Sequence, residues 1–267
     1  MRVPPSAGSG RPSQPKTRGF VAADADTAVL LCRESSRLTT VWRLTWVDGE
    51  PRLQKGSTFS GRLYPDRCAL SPDGERFLYF AMGDGRGAYP ERLYCWTALC
   101  APPWLTALKL WPHGDTWGGG GCFLQDGRLF IDPGMHPGFD AHKSDAFEGA
   151  TVLFRMPPEG RDVDPWRLVT LREDARGGVQ PDCWRRDAGG WLLQRILTDY
   201  ADGAYSCHRY RIVHAASGRH RDLDGVHWMD GDRQGRMMQA TGRSLQIHAD
   251  ADAVLAGDTP RWQLRLE

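Results

Sequence analysis

Five times along the chain, a short apolar run, a tight turn rich in Asp and Gly, and a second apolar run follow one another. The copies begin at Phe20 (FVAADADTAVLL), Cys68 (CALSPDGERFLY), Cys122 (CFLQDGRLFI), Cys183 (CWRRDAGGWLLQ) and Val226 (VHWMDGDRQGRMMQ). Apolar and polar positions alternate through most of these runs, the period-2 pattern of half-buried strands. Asp-Gly and Gly supply the positive φ that a two-residue hairpin turn requires, so each copy predicts an antiparallel pair. Two further strand-like runs follow each pair, among them TTVWRLTWV and PRLQKGST in the first copy, TVLFRM and WRLVTL in the third, and SLQIHA and WQLRLE in the fifth. The segment ADADAVLAG near the end is too short to stand alone as a helix.

These elements predict an all-β chain folded as a β-propeller of five four-stranded antiparallel blades over residues 20–267, after a flexible tail at 1–19. The copies recur at intervals of roughly 43 to 61 residues, near the period of a propeller blade, and no single blade can bury its own faces. The strand count begins on an inner strand and ends on an outer one. Closure would then rest on side-chain packing between the first and last blades rather than on a shared strand.

The hairpin Ser71-Pro72-Asp73-Gly74 resembles the repeat of TolB-like propellers and, more loosely, of WD-repeat propellers. In those families this turn joins the innermost strand of a blade to the next one out. The other copies keep Asp or Gly and lose Ser-Pro. The resemblance implies a scaffold and carries over no functional residue.

Composition narrows the partners. The net charge is +1, so no global field draws in nucleic acid or an anionic membrane, and neither is expected as a partner. No apolar run is long enough to span a bilayer, and the first nineteen residues lack the apolar centre of a secretory signal. Seven cysteines without an export signal argue against a disulfide framework and for a cytoplasmic protein. Cys68, Cys122 and Cys183 stand at the same point of successive copies, where a small buried side chain suits a crowded inner strand. Most Trp residues, including Trp42, Trp46, Trp96, Trp184, Trp191 and Trp262, lie inside strand runs and are expected in the core.

Candidate chemistry lies in the loops. In a four-stranded blade, the loop entering the inner strand and the loop between the second and third strands share one face. The longest irregular segments of this chain converge there, and loops on a rigid scaffold are where binding residues concentrate. The segment 132–149 carries His136, Asp140, His142 and Asp145, with Phe139 and Phe147. Its imidazoles and carboxylates form a donor set for zinc or manganese, but match no known ligand spacing. A ligand or partner contact and a solvated insertion are the other readings, and no metal or cofactor is assigned. Trp117 precedes four glycines, whose N–H groups could receive an anion or whose bareness could serve a crowded turn. Asp66, Arg67, Gln180, Asp182, Asp224 and His227 recur at the entries to inner strands and would ring the mouth of a central channel. There they could bind a ligand, do acid–base work, or simply cap turns.

No G-x-S-x-G elbow, H-E-x-x-H or dinucleotide fingerprint is present. The expected function is a non-catalytic binding module or interaction scaffold with a protein partner on the long-loop face. A small-molecule or glycan ligand is the second option for a partner. The alternative function is a glycan, ester or lactone hydrolase at the channel mouth.

Overall fold

The run Ala-Val-Leu-Leu-Cys at 28–32 has no polar face, and the packing explains why. The computed structural model describes residues 15–83, 94–124, 126–134, 144–147, 150–155, 166–169, 183–187, 189–201 and 205–267. In it this run lies in β2 (Thr27–Ser35), between β1 (Lys16–Val21) and β3 (Leu38–Val47), with β4 (Glu50–Leu63) beyond, all antiparallel. Ala28, Leu30 and Cys32 enter a cluster with Trp228, Met238, Ala240, Leu245 and Ile247 near the C-terminus. Val29 and Leu31 enter a second cluster with Phe77, Tyr79, Ala81, Trp96 and Ala98. Both faces of β2 are therefore covered, one by the last sheet and one by the strands that carry Phe77 and Trp96, and each large apolar side chain buried there contributes about 1.5–3 kcal/mol. The first strand starts at Lys16, inside the stretch read as tail.

The same alternation continues along the chain. The next strands are β5 (Ala69–Leu70), β6 (Phe77–Gly83), β7 (Cys95–Cys100) and β8 (Ala107–His113). On β6, Phe77, Tyr79 and Ala81 face the first sheet, while Leu78 joins a cluster with Leu129, Ile131 and Val152 of the third. The end of β4 pairs with β6 at Gly61–Leu63, and β5 pairs with the same strand at Ala69–Leu70. A 3-10 turn at Pro65–Arg67 separates these two short pairings. Through β4 the first two repeats form one eight-stranded sheet.

The third repeat departs from the expected meander. Its strands are β9 (Gly121–Phe123), β10 (Leu129–Ile131), β11 (Ser144–Phe147) and β12 (Ala150–Leu153), in the order β11-β12-β10-β9. β10 and β12 run parallel. The segment 132–149 is thus not all loop: its end is β11, where Phe147 packs on the cluster around Leu129 and Ile131. The run WRLVTL also lands elsewhere. Its strand β13 (Arg167–Val169) pairs with β14 (Cys183–Asp187) in the fourth repeat's sheet. That sheet continues through β15 (Trp191–Ala201), β16 (Tyr205–His214) and β17 (His220–Leu223). The last sheet is β18 (Trp228–Gly231), β19 (Met237–Thr241), β20 (Ser244–His248) and β21 (Trp262–Arg265). Among the described residues the sheets therefore hold eight, four, five and four strands rather than five sets of four. A period of two marks a strand but does not name its partner.

The segment judged too short for a helix forms α1 (Ala251–Ala256) between β20 and β21. Asp250 accepts from the Ala253 N–H at its start, and Gly257 ends it at φ 83°. Ala251 and Val254 bury against Trp191, Tyr210 and Met237, so tertiary packing supplies what six residues lack.

The first and last sheets meet without sharing a strand. The Thr17 hydroxyl donates to the Gly242 carbonyl at 2.6 Å, the Trp262 indole N–H donates to Glu50 at 2.9 Å, and Arg243 pairs with Glu34. Sheet-to-sheet packing thus joins the two ends of the described chain.

Candidate functional site

The turn Tyr64–Cys68 is built to hold one arginine still. Pro65 opens the 3-10 turn with its φ preset, and the Arg67 N–H donates to the Tyr64 carbonyl at 2.9 Å. The Arg67 guanidinium lies 5.5 Å from the Tyr64 ring centre and 5.1 Å from that of Phe80. Its Nη1 donates to the carbonyls of Thr116 at 2.8 Å and Gly118 at 2.6 Å. One side chain clamps both sides of Trp117.

The glycine run completes the clamp. Gly119 has φ 95° and lies so close to Phe80 that a Cβ there would come within 2.2 Å of the ring. Gly120 has φ 82°, and a Cβ there would come within 2.3 Å of the Arg67 carbonyl. The Gly119 N–H donates to the Asp132 carbonyl at 3.0 Å, and the Gly120 N–H to the buried Thr97 hydroxyl at 2.8 Å. Those two donors serve the fold, so the crowded-turn reading describes this run. Beside it, the Asp115 carboxylate accepts the Trp117 N–H at 2.9 Å and the Asp132 carboxylate accepts the Gly134 N–H at 2.9 Å.

The outcome is a fixed collar, 113–121 against 132–134, that holds Trp117 in solvent at 84% exposure. Trp42, Trp96 and Trp191 are buried as expected, and Trp46 and Trp262 are partly so. The side chain of Trp184 lies outside the described residues. Tyr94, 58% exposed, precedes Cys95, whose thiol donates to the Asp115 carbonyl of the same collar.

The residues predicted at the inner-strand entries have separate engagements. Asp66 pairs with Arg18 of β1 at 3.4 Å. Arg18 also donates to the Tyr210 hydroxyl at 2.9 Å, linking the first, second and fourth repeats through one guanidinium. His227 is half-buried, and its Nδ1 accepts the Gly242 N–H at 3.1 Å. Burial, reinforced by Lys16, holds its imidazole below the ordinary histidine value. Asp224 is exposed in the turn before β18. Gln180, Asp182, His136, Phe139, Asp140 and His142 lie outside the described residues.

Sequence reasoning missed a deeper polar cluster. Arg186 pairs with the buried Asp230, whose carboxylate also accepts the Gly231 N–H at 2.8 Å. Burial raises Asp230 above the usual carboxylate range against the pull of Arg186, and burial also raises Tyr210. A buried pair with its hydrogen bonds in place reads as scaffold. The signal was present in the Met-Asp-Gly of the fifth copy, but there Asp also reads as a turn residue.

Hydroxyl–imidazole contacts do occur. Thr97 meets His113 Nε2 at 2.9 Å, but both residues are buried, at 0% and 2% exposure. Ser217 meets His214 Nδ1 at 2.7 Å within a single exposed turn. Among the described residues, no group of three or more His, Cys, Asp or Glu is placed to hold a metal ion. Among them, too, no helix is long and apolar enough to cross a membrane.

No protein-family model matches the chain, and no curated protein matches it. Among solved structures, it is similar to a chain from a structural and mechanistic study of two prolyl endopeptidases. The identity is 11% and the TM-score 0.34, over 97% of this chain and 36% of that one. This chain thus spans little more than a third of that protein's length, and a likeness so distant says nothing about activity.

Proposed function

We propose that the chain is a propeller-type, non-catalytic binding module whose protein partner docks on the face that carries Trp117. The ring arrangement is supported by the core clusters: β2 is packed on both faces, and the last sheet packs against both the first and the fourth. In this reading the eight-stranded sheet counts as two blades joined at β4.

The observation that carries the function is Trp117 itself. An indole 84% exposed leaves a large apolar surface in water. Arg67, Asp115 and the glycine packing nevertheless hold its backbone in one conformation. On a fixed backbone the indole has only two side-chain torsions to lose on binding, and Trp is among the residue types enriched at interface hot spots.

The test is comparative capture from native lysate with wild type, Trp117→Ala and Trp104→Ala. Trp104 is also half exposed, but sits in the loop between β7 and β8, across the sheet from the collar. A partner kept by Trp104→Ala and lost by Trp117→Ala supports the reading. A partner kept by both variants contradicts it.

A further inference from the structure

The collar around Trp117 has a chemical character beyond its apolar ring, and this deepens the docking-face reading on which it rests. Residues 110–127 contain no Lys or Arg, and neither do residues 129–142. The described acids of the collar are Asp115 and Asp132. Each uses Oδ1 to fix the backbone, Asp115 for the Trp117 N–H and Asp132 for the Gly134 N–H. Both side chains are partly exposed, so their remaining carboxylate oxygens can meet a ligand. Among the described residues, Arg67 reaches the collar but is turned inward onto the Thr116 and Gly118 carbonyls between Tyr64 and Phe80. The site therefore combines an exposed indole, the Asp115 carboxylate on that residue's own backbone N–H, the Asp132 carboxylate on the adjoining segment of the collar where Gly134 packs on Gly118, and an arginine already committed to the fold.

We propose that Trp117, Asp115 and Asp132 form a recognition site for a cationic side chain, the Lys or Arg of a basic segment in the partner protein. The indole face attracts the cation through its quadrupole, and the carboxylates supply charge-assisted hydrogen bonds. Charge complementarity favours this occupant over an acidic or neutral one. The protein as a whole carries a net charge of only +1, so the preference is local to the collar rather than a property of the whole surface.

The test uses the full chain labelled with 5-fluorotryptophan, with the Trp117 resonance assigned from the Trp117→Ala variant. Octa-arginine, octa-glutamate and the neutral oligosaccharide cellohexaose are the probes, and affinities are measured by calorimetry. The expected result is that octa-arginine alone moves the Trp117 resonance. Trp117→Ala should weaken it about tenfold. The pair Asp115→Asn and Asp132→Asn, which keeps both backbone-fixing acceptors, should weaken it and flatten its salt dependence. Trp104→Ala should bind as wild type does. An unmoved Trp117 resonance, equal affinity for Trp117→Ala, or a response to cellohexaose alone overturns the proposal. If Trp117→Ala loses the captured partner while octa-arginine leaves the ring unmoved, the cation site falls and the docking face stands.

Discussion

Gly19 of β1 lies directly against the indole of Trp228 on β18, so that a Cβ at position 19 would come within 2.4 Å of the ring. The first and last sheets approach this closely because one residue at their contact has no side chain. Trp228 is buried in the cluster that also holds Leu30, Trp42 and Ile247, so it has little room to move away.

Replacing Gly19 by Ala should therefore destabilise the fold by about 1–3 kcal/mol through overpacking. Trimming the ring with Trp228→Phe should recover part of that loss when the two changes are combined. Chemical denaturation of the single and double variants checks both effects. Additive losses would mean that the contact is not what limits position 19.

Arg67 is the residue whose removal should loosen the collar most. Arg67→Ala leaves the Thr116 and Gly118 carbonyls without their donor and should cost about 1–3 kcal/mol. Proteolytic cleavage near residues 114–121 should accelerate, because Trp117 would no longer be held from both sides. An unchanged cleavage pattern would place the rigidity elsewhere.

The thiols of Cys32, Cys68, Cys95 and Cys100 should be inert in the native protein. Burial pushes Cys32 and Cys95 up to about 11 and Cys68 to about 12, and raises Cys100 as well. The thiolate is the reactive form, so alkylation near neutral pH should modify these positions only after denaturation. Rapid native labelling of Cys68 or Cys95, located by mass spectrometry, would contradict the packing described.

His248 gives the fold a pH dependence of known sign. It is buried beside Gln239, and burial, reinforced by Arg221, lowers its value while Asp258 pulls the other way. As pH falls, the unfolded chain takes up this proton first, so stability drops once pH passes below the ordinary histidine value of about 6.5. Wild type should lose more stability than His248→Gln between about pH 7 and pH 5. An equal or smaller loss in wild type would remove His248 from the account.

How far the sequence spoke depended on whether a residue had one role available or several. The strand at 28–32 was legible because its short continuous apolar run and the Asp-rich turn before it agree. The third repeat was not, because alternation cannot say that β10 pairs with β12 in parallel or that WRLVTL joins the sheet of the fourth repeat. The helix at 251–256 escaped because its stability comes from Trp191 and Tyr210, distant in sequence. Gly118–Gly121 suited a crowded turn and also an anion nest, and the Asp132 carbonyl and Thr97 hydroxyl take up the Gly119 and Gly120 N–H groups that a nest would need. Arg18 was read as part of a tail, yet it reaches Tyr210 and Asp66, contacts that no local pattern encodes.

The most direct measurement is the dissociation constant of the captured partner for wild type, Trp117→Ala and Trp104→Ala, each first shown to melt at the wild-type temperature. The docking-face account predicts at least about tenfold weaker binding for Trp117→Ala, as expected of a hot-spot indole, and wild-type affinity for Trp104→Ala. Equal affinity across all three proteins would contradict it.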